Sequence, residues 1–328
     1  MINFRYHVVS LTAVFLSLAV GLVLGSTVLN GPMLDALNSQ VTTLGQANQQ
    51  LREQVSFLEG EAEREEAFAT EAASLLLDGS LTGRRVTVVV LPEAGDYASG
   101  LTETLELTGA QINGTVRLTD RFAQPAHRLS QLLDLAHNAL PPSVDADDLP
   151  ANSDGVETSA ALLARVLLDL PGEDDDGTVE PDPGGPEASP GGVPEQERAA
   201  VLSAYANEEY LEFDEVPAAP AEVLMVVGAL PFTDNDAAEK NEAMLTTVEQ
   251  FSAVGPVVVA AAGPSGNGNV VGEIRSDPEL TDVISTVDNV STPQGRVATG
   301  LVVARHLAGE VGHYGDGDGA DALLPARQ

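Results

Sequence analysis

The sequence predicts three consecutive parts: one N-terminal transmembrane helix, a parallel dimeric coiled coil, and a soluble domain of the doubly wound α/β class. Three observations carry this. An apolar run without a charged side chain fills residues 8–29. A heptad repeat succeeds it. Beyond about residue 81, short β-branched runs alternate with helical stretches.

The anchor occupies 1–30. At about 1.5 Å per residue its apolar run is long enough to cross a bilayer. Arg5 and His7 precede it and the next basic residue is Arg52. The positive-inside rule therefore keeps the N-terminus cytoplasmic and exports the rest of the chain, as a single-pass plasma-membrane protein. The competing reading is a cleaved signal peptide. The run is longer than a usual signal core, and Gly25-Ser26-Thr27 is a poor cleavage site. Ala13, Ser17, Gly21 and Gly25 recur every four residues, a small-residue face on which two such helices can pack closely.

The stalk is expected over 33–80. Gly31-Pro32 reads as a break or kink, with Pro32 suited to the first turn of a new helix. Leu34, Val41, Asn48 and Val55 then fall at a, and Leu37, Leu44, Leu51 and Leu58 at d. β-Branched residues at a with Leu at d favour two parallel strands, and a single Asn at a fixes register against its twin. Two anchors entering from one membrane face impose the same orientation, so anchor and seam agree on a homodimer. The competing reading is an amphipathic helix packed on its own domain. Past Ala62 the seam weakens: Glu65 stands at d, Ala69 and Ala72 are small, and Glu61 would face the partner's Glu66. Splaying is expected there, before the domain begins.

The soluble domain is expected over 81–315. Strands are read at 86–91, 112–118, 222–228, 256–262 and 283–287, and helices at 97–107, 124–139, 236–253 and 294–309. Continuous apolar strands alternating with helices imply a mostly parallel, Rossmann-like sheet covered on both faces. The Gly/Pro-rich acidic stretch 171–194 cannot bury a core and reads as a disordered loop, as does the tail 316–328.

Composition excludes several functions. The formal net charge is −35, from 50 acidic and 15 basic residues. Nucleic acid is thereby excluded as a partner, because phosphate backbones require clustered Lys and Arg. No cysteine is present, hence no disulfide, thiolate metal site or thiol nucleophile. Four Met and five His leave soft-metal ligands scarce. A nucleotide would need a glycine-rich turn after the first strand, where Leu91-Pro92-Glu93 stands instead. The turn 263–268 matches neither phosphate-binding glycine motif and reads as mobile. His127 and His137 are ten residues apart, and His306 and His313 seven, so neither pair sits on adjacent helical turns as a metal pair requires. His306, near a helix end, reads as a partner for the helix dipole. With no acid, base and nucleophile constellation, the chain reads as a non-enzyme without catalytic, cofactor or metal-ligating residues.

Three stretches carry a resemblance: RYHVVSLTAVFLSLAVGLVLG at 5–25, TVDNVSTPQG at 286–295, and GHYG at 312–315. They are similar to the actinobacterial MctB-like copper transporter family, which includes SteB-related members. The more specific signature is the segment with Asp288, Asn289 and Gly295. The resemblance implies a role in copper homeostasis or efflux, with an outer-membrane channel as the mechanism proposed for the family. It equally implies, through the SteB-related members, a cell-envelope and septal-division scaffold with a SteA-like membrane partner and no copper role. Copper as a bound ion enters by the resemblance alone.

Overall fold

The computed structural model describes residues 4–128, 130–152, 154–169, 192–263, 266 and 268–326, with the side chains of 26–36, 127 and 128 excepted. The chain divides into two units, Met1–Glu65 and Glu66–Gln328. The acidic loop expected at 171–194 lies outside the described residues except for its last three, and the turn 263–268 lies partly outside them.

The first unit is helical. Helix α1 (Phe4–Leu77) runs for 74 residues, and its stretch Phe4–Gly25 is long and apolar enough to cross a membrane. The break expected at Gly31-Pro32 does not occur: helix continues through both residues. Proline removes one backbone donor, and the turns on either side propagate the remaining ladder. Leu37, Val41, Leu44, Leu51, Val55 and Leu58 are all exposed along α1, as is Asn48. The side chain of Leu34 is outside the described set. Ala13, Ser17 and Gly21 are also exposed, and a Cβ added at Gly21 or Gly25 would meet nothing within 4 Å.

The second unit carries, in order, β1 (Arg85–Val90), α2 (Gly95–Glu106), β2 (Gln111–Leu118), the short α3 (Asp120–Ala123) and α4 (Pro125–Arg128), α5 (Gln131–Ala139) and α6 (Gly155–Leu167). It continues with α7 (Glu195–Asn207), β3 (Leu211–Phe213), β4 (Val223–Gly228), α8 (Ala237–Val254), β5 (Val257–Ala261) and α9 (Val270–Ser276). It closes with α10 (Pro278–Thr281), β6 (Ile284–Val287), α11 (Pro293–Leu307) and β7 (His313–Tyr314). The seven strands form one sheet in the order β3-β2-β1-β4-β5-β6-β7. All neighbours are parallel except β2 and β3, so the sheet is mixed.

Alternation of side chains explains the continuous apolar strands. Val86, Val88 and Val90 face one core with α2 and α11, while Val89 and Leu91 face the other with α6 and α8. The 124–139 helix is divided into α4 and α5. Helix α6, unassigned from sequence, is buried nearly all round, and the Asp154 carboxylate caps it by accepting from the amides of Val156 and Glu157.

The second unit takes in the last turns of α1, Glu66 onward, and there Ala73 and Leu77 pack with Val297 and Leu301 of α11. Small residues that looked like a failing seam are in part a packing face: Ala69 and Ala73 are buried, and a Cβ on Gly300 would stand 2.9 Å from Leu77. The described part of the tail, 316–326, is bonded to the rest of the unit. It lies against the sheet edge, with Tyr314 bridged to Ala322 and the amides of Asp316 and Gly317 bonded to Asp288.

Candidate functional site

In open α/β sheets, ligands settle at the carboxyl ends of the strands where the strand order reverses. Here that point lies between β1 and β4. The space there, lined by Leu91, Pro92, Gly228, Leu230, Phe232 and Asn241, is only about 20 Å3, the room one water needs. The chain itself fills the crevice. The Asn241 side chain accepts the Phe232 amide at 2.9 Å and donates to its carbonyl at 3.3 Å, pinning the loop after β4 over the sheet. Lys240 lies 5.1 Å from the Phe232 ring centroid and pairs with Asp234. The turn after β1 offers an acid rather than a glycine cradle: Glu93 is exposed, with a left-handed φ of 63°. Among the described residues, the crevice offers a nucleotide no phosphate cradle.

A roomier groove of about 250 Å3 lies between the end of α1, α2 and the first turns of α11, lined by Ala69, Ala73, Gly100, Leu107, Arg296 and Val297. Its walls are mostly small and apolar.

The signature residues lie elsewhere, past the end of β6. Asp288 is 1% exposed and its carboxylate accepts from Arg275 Nη1 of α9 at 2.6 Å. It also accepts the amides of Asp316 at 2.8 Å and Gly317 at 2.9 Å. Arg275 spends its other donors on the Thr286 hydroxyl at 2.9 Å and on the carbonyls of Tyr314 at 2.8 Å and Asp318 at 3.1 Å. The tail can approach so closely only because Gly315 has no side chain: a Cβ there would fall 2.0 Å from Asp288 Oδ1, and its φ is 127°. Gly295 is constrained in the same way, since a Cβ would lie 2.0 Å from the carbonyl oxygen of Asn289. Its amide donates to Thr292 Oγ1 at 3.0 Å, capping α11, and Asn289 Nδ2 reaches Asp316 at 3.2 Å.

The structure thus brings the two signature stretches, 286–295 and 312–315, together through parallel pairing of β6 with β7. Arg275 joins them, and sequence reasoning missed it. The polar groups mostly satisfy one another, so the cluster is built to hold a turn and a tail.

The histidines are also engaged. His306 Nδ1 is 2.9 Å from Ser285 Oγ, and His313 Nδ1 is 2.9 Å from Thr286 Oγ1. Burial lowers the pKa of His306, which disfavours the charged form that a helix-dipole partner needs. Burial, and next the charge of Arg275, lower that of His313. His137 is exposed on α5. Among the described residues, no group of three or more His, Cys, Asp or Glu is placed to hold a metal ion. A further buried cation also went unread. Arg198 of α7, 1% exposed, donates to the carbonyls of Val193, Pro217 and Ala218, and burial lowers its pKa.

Comparison with known proteins adds what the cluster alone does not say. Residues 1–325 match the family described as "Copper transport outer membrane protein, MctB". The chain is 27% identical over 333 residues to "Copper transporter MctB" of Mycobacterium tuberculosis (strain ATCC 25618 / H37Rv), covering 98% of each chain. Its likeness to the protein of the same name from Mycobacterium leprae (strain TN) is 27% over 337 residues, covering 98% of this chain and 99% of the relative. With the match running almost end to end, through anchor, long helix and α/β unit alike, the chain belongs to the MctB family.

Proposed function

We propose that this chain is a copper-homeostasis protein of the cell envelope. One helix anchors it in the plasma membrane, α1 pairs it with a second copy, and its α/β unit stands on the exported side. Copper is the cargo whose level it governs, and no ligand cluster of its own binds the ion. The end-to-end match to proteins named copper transporters carries the copper reading. The orientation rests on Arg5 and His7 preceding the apolar stretch. Pairing rests on the seam: a row of large apolar side chains at a and d, exposed on a single helix, is stable in water only when covered.

A pore formed by the described strands is not favoured. They have two to eight residues each and form one sheet with edges at β3 and β7, its central strands buried on both faces. A membrane barrel needs closed strands of about nine to eleven residues with a lipid-facing side. The reading therefore assigns the protein to the assembly that moves or senses copper, through an envelope partner. The septal-division alternative is not favoured, since the relatives carry copper transporter names.

Total cell copper in a deletion strain grown at sublethal copper, against the complemented strain, tests the function. Excess copper in the mutant is expected; unchanged copper overturns the reading. Pairing is tested separately on the natural cysteine-free background. Single cysteines at Leu44 or Asn48 should cross-link on oxidation in membranes, and one at Gln46, on the outer face, should not.

A further inference from the structure

The sheet edge that carries the signature cluster is fastened by two adjacent hydroxyls of β6, which point to opposite faces. Thr286 Oγ1 accepts the Nε–H of Arg275 at 2.9 Å. A hydroxyl has one proton to give, and its other neighbour is His313 Nδ1 at 2.9 Å. The Thr281 carbonyl of α10, 3.2 Å from Nε2, can only accept, so Nε2 carries the proton of the neutral ring and Nδ1 is the acceptor of the Thr286 hydroxyl. On the opposite face a second hydroxyl meets a second histidine. Ser285 Oγ accepts the Gly312 amide at 3.2 Å and stands 2.9 Å from His306 Nδ1.

His313 is also the first residue of the strap formed by 313–326. Its own amide donates to Asp321 Oδ2 at 3.0 Å and its carbonyl accepts the Asp321 amide at 2.7 Å. Farther along, the Gly315 amide donates to the Ala322 carbonyl at 3.0 Å.

We propose that His313 is a proton-operated latch: protonation at Nδ1 removes the acceptor of the Thr286 hydroxyl, sets a second cation beside Arg275 and so releases the strap from the sheet edge. A proton on Nδ1 aims a second donor at a hydroxyl already holding the Arg275 N–H, and leaves the hydroxyl's own proton without its acceptor. It also sets an imidazolium beside a guanidinium that has nowhere to retreat, the Arg275 side chain being 3% exposed. The charged groups around the ring are Arg275 from α9, Asp321 from the strap and, engaged through Arg275, Asp288 past the end of β6. Thr281 presents only its carbonyl. Burial and Arg275 lower the ring's pKa, while Asp321 and the bond to Thr281 oppose them with smaller effect. A depressed folded pKa gives stability that is present above the ordinary histidine value, about 6.5, and lost as pH falls through the folded value. The latch is closed at neutral pH and opens in acid.

Hydrogen exchange on the full chain in detergent micelles tests this, with amide protection corrected for the intrinsic pH dependence of exchange. From about pH 7.5 to about pH 5, protection in 313–326 should fall by about tenfold or more while that of β4 is unchanged. His313→Asn keeps an acceptor where Nδ1 stands and cannot titrate, so its strap should stay protected at both pH values. Flat protection in the natural protein overturns the proposal. So does an equal fall in His313→Asn, which would place the titration on the carboxylates. If that variant loses β4 protection at neutral pH, it has misfolded, and the ring nitrogen shifts of His313 decide. A ring that keeps its neutral form while the strap opens overturns the latch, and a ring that charges as the strap opens supports it.

Discussion

Replacing Asp288 by Ala strands Arg275. The two side chains are 1% and 3% exposed and meet at 2.6 Å, so neither can exchange its partner for water without local opening. Removing one member of so buried a pair leaves an uncompensated charge and costs about 3–5 kcal/mol. The Asp316 and Gly317 amides lose their acceptors too, but they lie nearer solvent and share the same network, so their losses do not add in full. Asp288→Asn keeps the shape and an acceptor while losing the charge, and should cost about 1.5–3 kcal/mol. Asp288→Ala combined with Arg275→Met leaves no buried charge and should recover much of the single-variant loss. Urea unfolding of the full chain in detergent, followed by the near-ultraviolet signal of tyrosine, measures this, because Tyr97, Tyr205, Tyr210 and Tyr314 all lie in Glu66–Gln328. A lower midpoint with unchanged slope is expected. Asp288→Ala within about 1 kcal/mol of the natural protein, or a double variant no better than the single, would refute the argument from burial.

Other places in the chain yield three further expected outcomes. In the proposed dimer, Asn48→Val should strengthen the pairing of α1 while relaxing its register, read as higher thermal stability together with mixed cross-links from cysteines at neighbouring seam positions. Gly295→Ala forces a Cβ to within 2.0 Å of the Asn289 carbonyl, and should lower stability by about 1–3 kcal/mol in the same urea assay. Burial lowers the pKa of His306, so its stabilising contribution is present above about pH 6.5 and lost as pH falls through its lowered pKa. The stability difference between the natural protein and His306→Asn should therefore shrink on acidification; a difference that grows would contradict the lowered pKa.

Legibility in the sequence tracks where side chains are buried. Strands β1, β4 and β5 are covered on both faces and so stand out as unbroken β-branched runs. Helix α6 is buried nearly all round and presents no polar face whose period could betray it. Strand β3 has three residues and pairs antiparallel, too short a pattern to recognise, yet it makes the sheet mixed. The tail is the segment whose composition says least about its contacts. Its glycines and aspartates resemble a solvated linker, but Gly315 is there because Asp288 leaves no room for a side chain. Asp288 was visible as part of a signature, whereas its partner Arg275, on a different element, becomes a neighbour only through the tertiary fold.

The assignment of copper as cargo makes one demand that can be met or broken directly. Soft ligands would have to come from Met and His, since no cysteine exists. Met225 and Met244 are buried in opposite cores of the sheet, and His306 and His313 hold β6 hydroxyls. Releasing any of them costs packing or hydrogen bonds that a weak site could not repay. Full-length protein titrated with Cu(I), and separately with Cu(II), should take up metal only weakly and without a fixed stoichiometry, as a chain of net charge −35 attracts any cation. Raising the ionic strength should remove that uptake, because screening acts on diffuse charge and hardly on a coordination bond. Saturable binding at one ion per chain or per pair, surviving salt, would instead place a ligand set in this protein and make it a carrier in its own right.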